Sequence, residues 1–161
     1  MRVLSITAAA LAVPILALAQ ASAPAAAQQA VVAVPGSITW GAAPAVLPAG
    51  AKAAVLEGDP SQPGAFTLRI WMPDGYTIPP HFHPVAEHVT VVQGAFLVGM
   101  GDQLDASKFN ELPTGTFGLI PPGMRHFARA KGDVVIQLHG VGPWGLTYVN
   151  PADDPRRRTT P

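Results

Sequence analysis

His81 and His83 stand two residues apart, Glu87 follows four residues after His83, and His126 lies 39 residues beyond Glu87 (126 minus 87). Neutral imidazoles and a carboxylate together can ligate a transition metal. On an extended strand, residues i and i+2 point to the same face, about 6–7 Å apart along the chain. The rings of His81 and His83 can therefore converge on one ion. Pro84 enforces a turn after His83, so Glu87 opens the next strand and can point back at the same spot. Three imidazoles and one carboxylate suit Fe, Mn, Co, Ni, Cu or Zn, and not Ca or Mg, which prefer all-oxygen shells. Four ligands leave one or two positions open for water or a small molecule. Affinity is expected to fall below about pH 6, where imidazoles of unperturbed pKa near 6.5 take up protons.

A second set of residues could serve such a metal. From Val134 to His139 the chain alternates, with Gln137 and His139 on one face and Val134, Ile136 and Leu138 on the other. If the polar set faces the interior, His139 is the catalytic acid or base and Gln137 orients substrate or metal-bound water. If the apolar set faces inward, both lie at the surface. Alternation sends His88 outward from Glu87, and Arg125 away from His126. Tyr76 and Tyr148 are weaker candidates, as phenols near the mouth of the site. Phe82, Phe117, Phe127, Trp71 and Trp144 read as packing aromatics.

Bringing His126 back to His81 requires a closed architecture. The chain supplies short extended segments separated by turn residues: 37–40, 51–57, 66–72, 77–83, 87–93, 95–100, 116–120, 126–130, 134–139 and 146–149. Phe66, Leu68, Ile70 and Met72 share one face of their segment, with Thr67, Arg69 and Trp71 on the other. Residues 41–50 read as a loop, punctuated by Pro44, Pro48 and Gly50. Residues 105–112 have room for a single helical turn. With no sustained helical period, the pattern implies an all-β sandwich or barrel.

The stretch Gly75 to Gly94 resembles the first cupin motif at Gly75, His81, His83, Glu87 and Gly94. The stretch beginning at Gly115 resembles the second at Gly115, Pro121, Gly123 and His126, while the closing Asn of that motif is replaced by Ala130. That Asn is not a metal ligand in the family. The resemblance implies a double-stranded β-helix, or jelly-roll barrel, with a metal at its mouth held by His81, His83, Glu87 and His126. It implies much less about reaction, because cupins include dioxygenases, decarboxylases, isomerases, epimerases, lyases and non-catalytic binders.

The rest of the chain bounds these readings. The 161 residues suffice for one domain with one core. Net charge is zero and charged residues are 12%, so nothing suggests a nucleic-acid surface. The basic run Arg156 to Arg158 reads as a solvated tail. There is no cysteine, which excludes disulfides and thiolate metal sites. Arg2, the uncharged run from Val3 to Val13, Pro14 and Ala17-Leu-Ala19 have the layout of a secretory signal. Ala25-Ala-Ala27 is a second possible cleavage site. The expected organisation is a signal over 1–19, a flexible lead-in over 20–36, a cupin domain over 37–150 and a tail over 151–161. The expected protein is periplasmic or secreted, binds a small molecule through one divalent transition metal, and has no stable membrane association after signal cleavage. A homodimer is compatible with this. The leading functional reading is a small-molecule metalloenzyme, dioxygenase-, lyase- or isomerase-like. The alternative is a non-catalytic binding or sensory cupin whose metal is structural.

Overall fold

The computed structural model describes residues 29–157. The expected signal over 1–19, residues 20–28 of the lead-in and Arg158 lie outside the described residues. The compact unit that carries everything below begins at Val31.

Among the described residues nine strands follow in order: β1 (Gly41–Ala42), β2 (Lys52–Glu57), β3 (Gly64–Met72), β4 (Thr77–Phe82), β5 (Glu87–Met100), β6 (Asn110–Pro113), β7 (Phe117–Ile120), β8 (His126–Gly142) and β9 (Thr147–Tyr148). Among the described residues the helical pieces are single 3-10 turns, each three residues long. One of them, Ala106–Lys108, occupies the expected single turn, and Asp105 caps it by accepting from the Ser107 backbone N–H.

Two long strands make the architecture. The sequence reading ends strands at Gly94 and near Gly132, whereas β5 and β8 each run straight through those positions. The glycines bend the strands instead of ending them. Gly94 has φ +79°, and a Cβ there would lie 2.5 Å from the Asp133 carbonyl oxygen. A side chain would both strain the backbone and strike the neighbouring strand.

Because of these bends, each long strand serves two sheets. The first half of β5 pairs with β7 and with the last part of β8, as in Val89↔Leu138. That part of β8 also pairs with β3, which pairs with β2. The second half of β5 pairs with β6 and with the first part of β8, as in Val98↔Ala128. That part of β8 pairs with β4, which carries β9. All these pairings are antiparallel, and two sheets sharing bent strands form the double-stranded β-helix.

The core lies between the two sheets. Phe66, Leu68, Ile70 and Met72 are each at most 2% exposed, so the inward face of β3 is the apolar set of its alternation. Val89, Val91, Ile136 and Leu138 join them from the same sheet, and Ile78, Phe96, Val98 and Ala128 from the other. The first expected strand, 37–40, is instead a 3-10 turn at Pro35–Ser37, followed by the two-residue β1 inside the expected loop. Pro35 fits the first position of a turn, where a missing N–H costs nothing. At the other end the tail forms two short turns. The Arg156 guanidinium is spread over both Asp154 carboxylate oxygens, at 2.9 and 2.6 Å.

Candidate metal centre

The two sheets bring the four residues together from separate elements. His81 stands on β4 directly opposite His126 at the start of β8. His83 follows the end of β4, and Glu87 is the first residue of β5. All four are buried: His81, His83 and His126 are 2–3% exposed and Glu87 8%. The ligand-capable nitrogens of the three histidines lie within 4.8 Å of one another. The Glu87 carboxylate reaches to 3.5 Å from His83 Nε2 and 3.3 Å from His126 Nε2.

Each ring is held from behind by a backbone carbonyl. His81 Nδ1 lies 2.8 Å from Pro79 O, His83 Nδ1 2.7 Å from Gly145 O, and His126 Nδ1 3.0 Å from Met124 O. A carbonyl can only accept, so each Nδ1 carries the proton and donates it. In a neutral imidazole this leaves Nε2 as a lone pair, the form a metal requires. Two of these lone pairs then face a carboxylate, which in its ionised form also only accepts. Acceptor against acceptor is unfavourable without a cation or proton between them. His83 Nε2 is buried and has no hydrogen-bond partner. The donor set, the tautomers and the orphaned atom all fit a bound divalent transition metal.

Burial holds the His81 imidazole well below its usual 6.5, and the neighbouring His126 and His83 add to the effect. Burial also lowers His83, although Glu87 and the Gly145 carbonyl pull the other way. These folded-state values lie below the unfolded one, so the unfolded chain takes up protons first as pH falls. The metal-free protein should therefore keep its full stability above about pH 6.5 and lose it progressively as pH drops through the depressed folded values. Urea midpoints of metal-free protein from about pH 8 down to pH 5 measure this, and a flat profile would contradict it. The same shift revises the expected metal affinity. Burial keeps His81 and His83 neutral to lower pH than free imidazoles, so metal loss on acidification should begin lower than about pH 6.

The cavity at the site is small, about 20 Å³, and its wall is apolar apart from the four donors and the Trp144 indole. Ile70, Ile78, Phe96, Ile120, Ile136 and Leu138 contribute to that wall.

This settles the orientation of β8 and corrects the expected catalytic residue. Ile136 and Leu138 face inward, so His139 and Gln137 lie on the outer face of the sheet. His139 stacks on His88 of the paired strand, ring centroids 5.0 Å apart, and Gln137 accepts from Arg69 Nε at 3.0 Å. His139 does not line the cavity. The deciding factor is burial of β8 against β3 and β5, which places its apolar set in the core. Replacing His139 or His88 by Ala should leave metal stoichiometry unchanged. Elemental analysis of both variants beside His83→Ala tests this, and metal loss matching that of His83→Ala would refute it.

The two tyrosines are engaged elsewhere. Tyr76 Oη donates to Pro48 O and Tyr148 Oη to Val46 O, at 2.5 and 2.8 Å, which ties the 44–50 loop to the barrel. Leu47 of that loop lines the cavity. Arg125 is exposed and pairs with Asp102.

Sequence reasoning missed the loop between β8 and β9. Gly145 supplies the carbonyl that fixes His83, and Trp144, expected only to pack, stacks on His83 with centroids 4.7 Å apart and lines the cavity. The turn residues Gly142, Pro143 and Gly145 mark a loop, but nothing local says that it returns over His83.

A sequence profile of the ChrR cupin-like domain matches residues 28–144, more than half of the chain. The chain belongs to the ChrR cupin-like family. No curated protein matches this family member. Among solved structures, it is similar to the polyketide cyclase RemF from Streptomyces resistomycificus, with a TM-score of 0.66 at 14% identity over 79% of this chain and 90% of that one. KdgF from Halomonas sp. aligns with a TM-score of 0.51 at 20% identity, over 68% of this cupin and 93% of KdgF. A G106A mutant of salicylate 1,2-dioxygenase from Pseudoaminobacter salicylatoxidans, in complex with gentisate, gives 0.51 at 15% identity, over 65% of this chain and 30% of that one. At these identities the likeness establishes the shared fold alone.

Proposed function

We propose that this cupin holds one divalent transition metal through His81, His83, Glu87 and His126, and that a small molecule completes the metal's shell. One observation carries the reading. Three buried imidazoles, each fixed by a carbonyl behind it, bring their second nitrogens together beside one carboxylate. A metal bound there supplies Lewis-acid or redox chemistry at its open position. The chain's own contribution is to orient the ligands, exclude bulk water and offer an apolar wall. The salicylate 1,2-dioxygenase mutant of similar fold is described in complex with gentisate, which is in keeping with a small organic ligand here.

Two uses of such a site remain in view, a small-molecule metalloenzyme and a non-catalytic binder or sensor. The wall favours chemistry that asks little of protein acids and bases. Among the described residues, Glu87 and the three histidines are the only titratable groups lining the cavity. An enzymatic reading therefore points to metal-centred oxygen chemistry more than to multi-step proton transfer. The export reading, with a mature chain starting near Gln20, belongs to the same proposal and is checked by N-terminal sequencing of protein from the cell envelope.

Elemental analysis of protein purified from its native compartment tests the central claim. One equivalent of metal per chain is expected. Iron would favour oxygen chemistry, while zinc or nickel would favour lyase, hydrolytic or structural roles. Failure to bind any first-row divalent metal would overturn it.

A further inference from the structure

Trp144 carries one buried polar atom that the ligand set does not use. Its indole lies nearly parallel to the His83 ring, with an interplanar angle of 20°. Its Nε1 is buried and has no hydrogen-bond partner. Buried N–H groups are almost always satisfied by protein, water or a bound molecule. The nearby Gly145 carbonyl already accepts from His83 Nδ1. Trp144 borders the cavity, so a molecule entering that space lies beside this residue.

We propose that the Trp144 indole N–H is a ligand-binding donor of the metal centre, which hydrogen-bonds a compact, acceptor-bearing anion occupying the open position beside His83. The inference rests on the metal reading above and adds the ligand's chemistry. An indole N–H only donates, so it selects an acceptor and rejects a cation or an N–H donor. A metal cation and an N–H donor together favour negative charge. The apolar wall supplies no competing basic side chain. A cavity of about 20 Å³ is little more than the room of one water, which restricts the ligand to the most compact anions. The β8–β9 loop would then act twice on the site, holding His83 through Gly145 and the ligand through Trp144.

Azide is a suitable probe, and Co(II)-loaded protein reports its binding by visible absorbance. Trp144→Phe keeps an aromatic ring against His83 and removes the N–H. The variant should bind Co(II) with unchanged stoichiometry but bind azide about tenfold more weakly, as expected for loss of one charge-assisted hydrogen bond. A second readout needs no variant. In the Zn(II)-loaded wild type, the Trp144 indole N–H resonance should shift on adding azide, while those of Trp40 and Trp71 stay in place. Equal azide affinity in Trp144→Phe, or an unmoved Trp144 resonance while the Co(II) absorbance responds, would overturn this inference and leave the metal reading standing. A wild type that binds no Co(II), or whose Co(II) absorbance ignores azide, would overturn the open-site reading and this inference with it.

Discussion

Replacing His81, His83 or His126 by Ala should strip most of the metal from the protein in each case, while the barrel stays folded. The three nitrogens form one cluster, so each deletion leaves a shell that water must complete. Losing only an outer partner of a ligand typically costs 10–100-fold in affinity, and loss of a ligand itself should cost about 100-fold or more. The fold should survive because much of the core is built elsewhere, from Phe66, Leu68, Val91, Val134 and their neighbours. Removing the His81 or His83 imidazole also relieves burial of a group whose protonation is suppressed. Glu87→Gln should be gentler on folding but removes the one negative charge of the set, and so alters the acidity of any metal-bound water. The measurement is metal stoichiometry by elemental analysis, beside far-UV circular dichroism, at about pH 7. Full occupancy in any of the three His→Ala variants would remove that residue from the site.

The largest effect on stability is expected at Phe66. Its ring is 2% exposed, sits on the inward face of β3, and lies 6.3 Å from the Trp144 ring. Phe66→Ala removes a large buried side chain and leaves a void that strands held in register on both sides cannot close. Such changes cost about 3–5 kcal/mol, a large share of the roughly 5–15 kcal/mol that holds a domain together. With an m-value of about 2 kcal/mol/M, the urea midpoint should fall by roughly 2 M. Phe117→Ala is the contrast. Phe117 is 57% exposed on β7, and its loss should change stability by no more than about 0.5 kcal/mol. Comparable losses in the two variants would mean that the core has been misplaced. Because Phe66 supports Trp144, which stacks on His83, weaker metal binding in Phe66→Ala is also expected.

The sequence by itself determined the extended character of most segments and the grouping of His81, His83 and Glu87 as candidate donors. The β3 alternation predicts its buried face because period two is a property of the extended chain, independent of what packs on it. The spacing of His81, His83 and Glu87, with Pro84 between them, predicts convergence for the same local reason. His126 is different, since nothing within a few residues shows that it meets His81 across a strand pair. It is legible only through the resemblance of its surroundings to the second cupin motif.

Three features were decided by tertiary structure alone. The first is the orientation of β8. Alternation divides Gln137 and His139 from Ile136 and Leu138 but is symmetric between inside and outside, and only burial against β3 and β5 breaks the symmetry. The second is the role of Gly94. A glycine with positive φ can end a strand or bend it, and the choice depends on whether a partner strand continues to supply hydrogen bonds on the far side, as β8 does. The third is the setting of the imidazoles. The carbonyl partner of His83 lies 62 residues away at Gly145, and Trp144 arrives with it. Contacts of that range arise from chain closure, which the order of residues does not display locally.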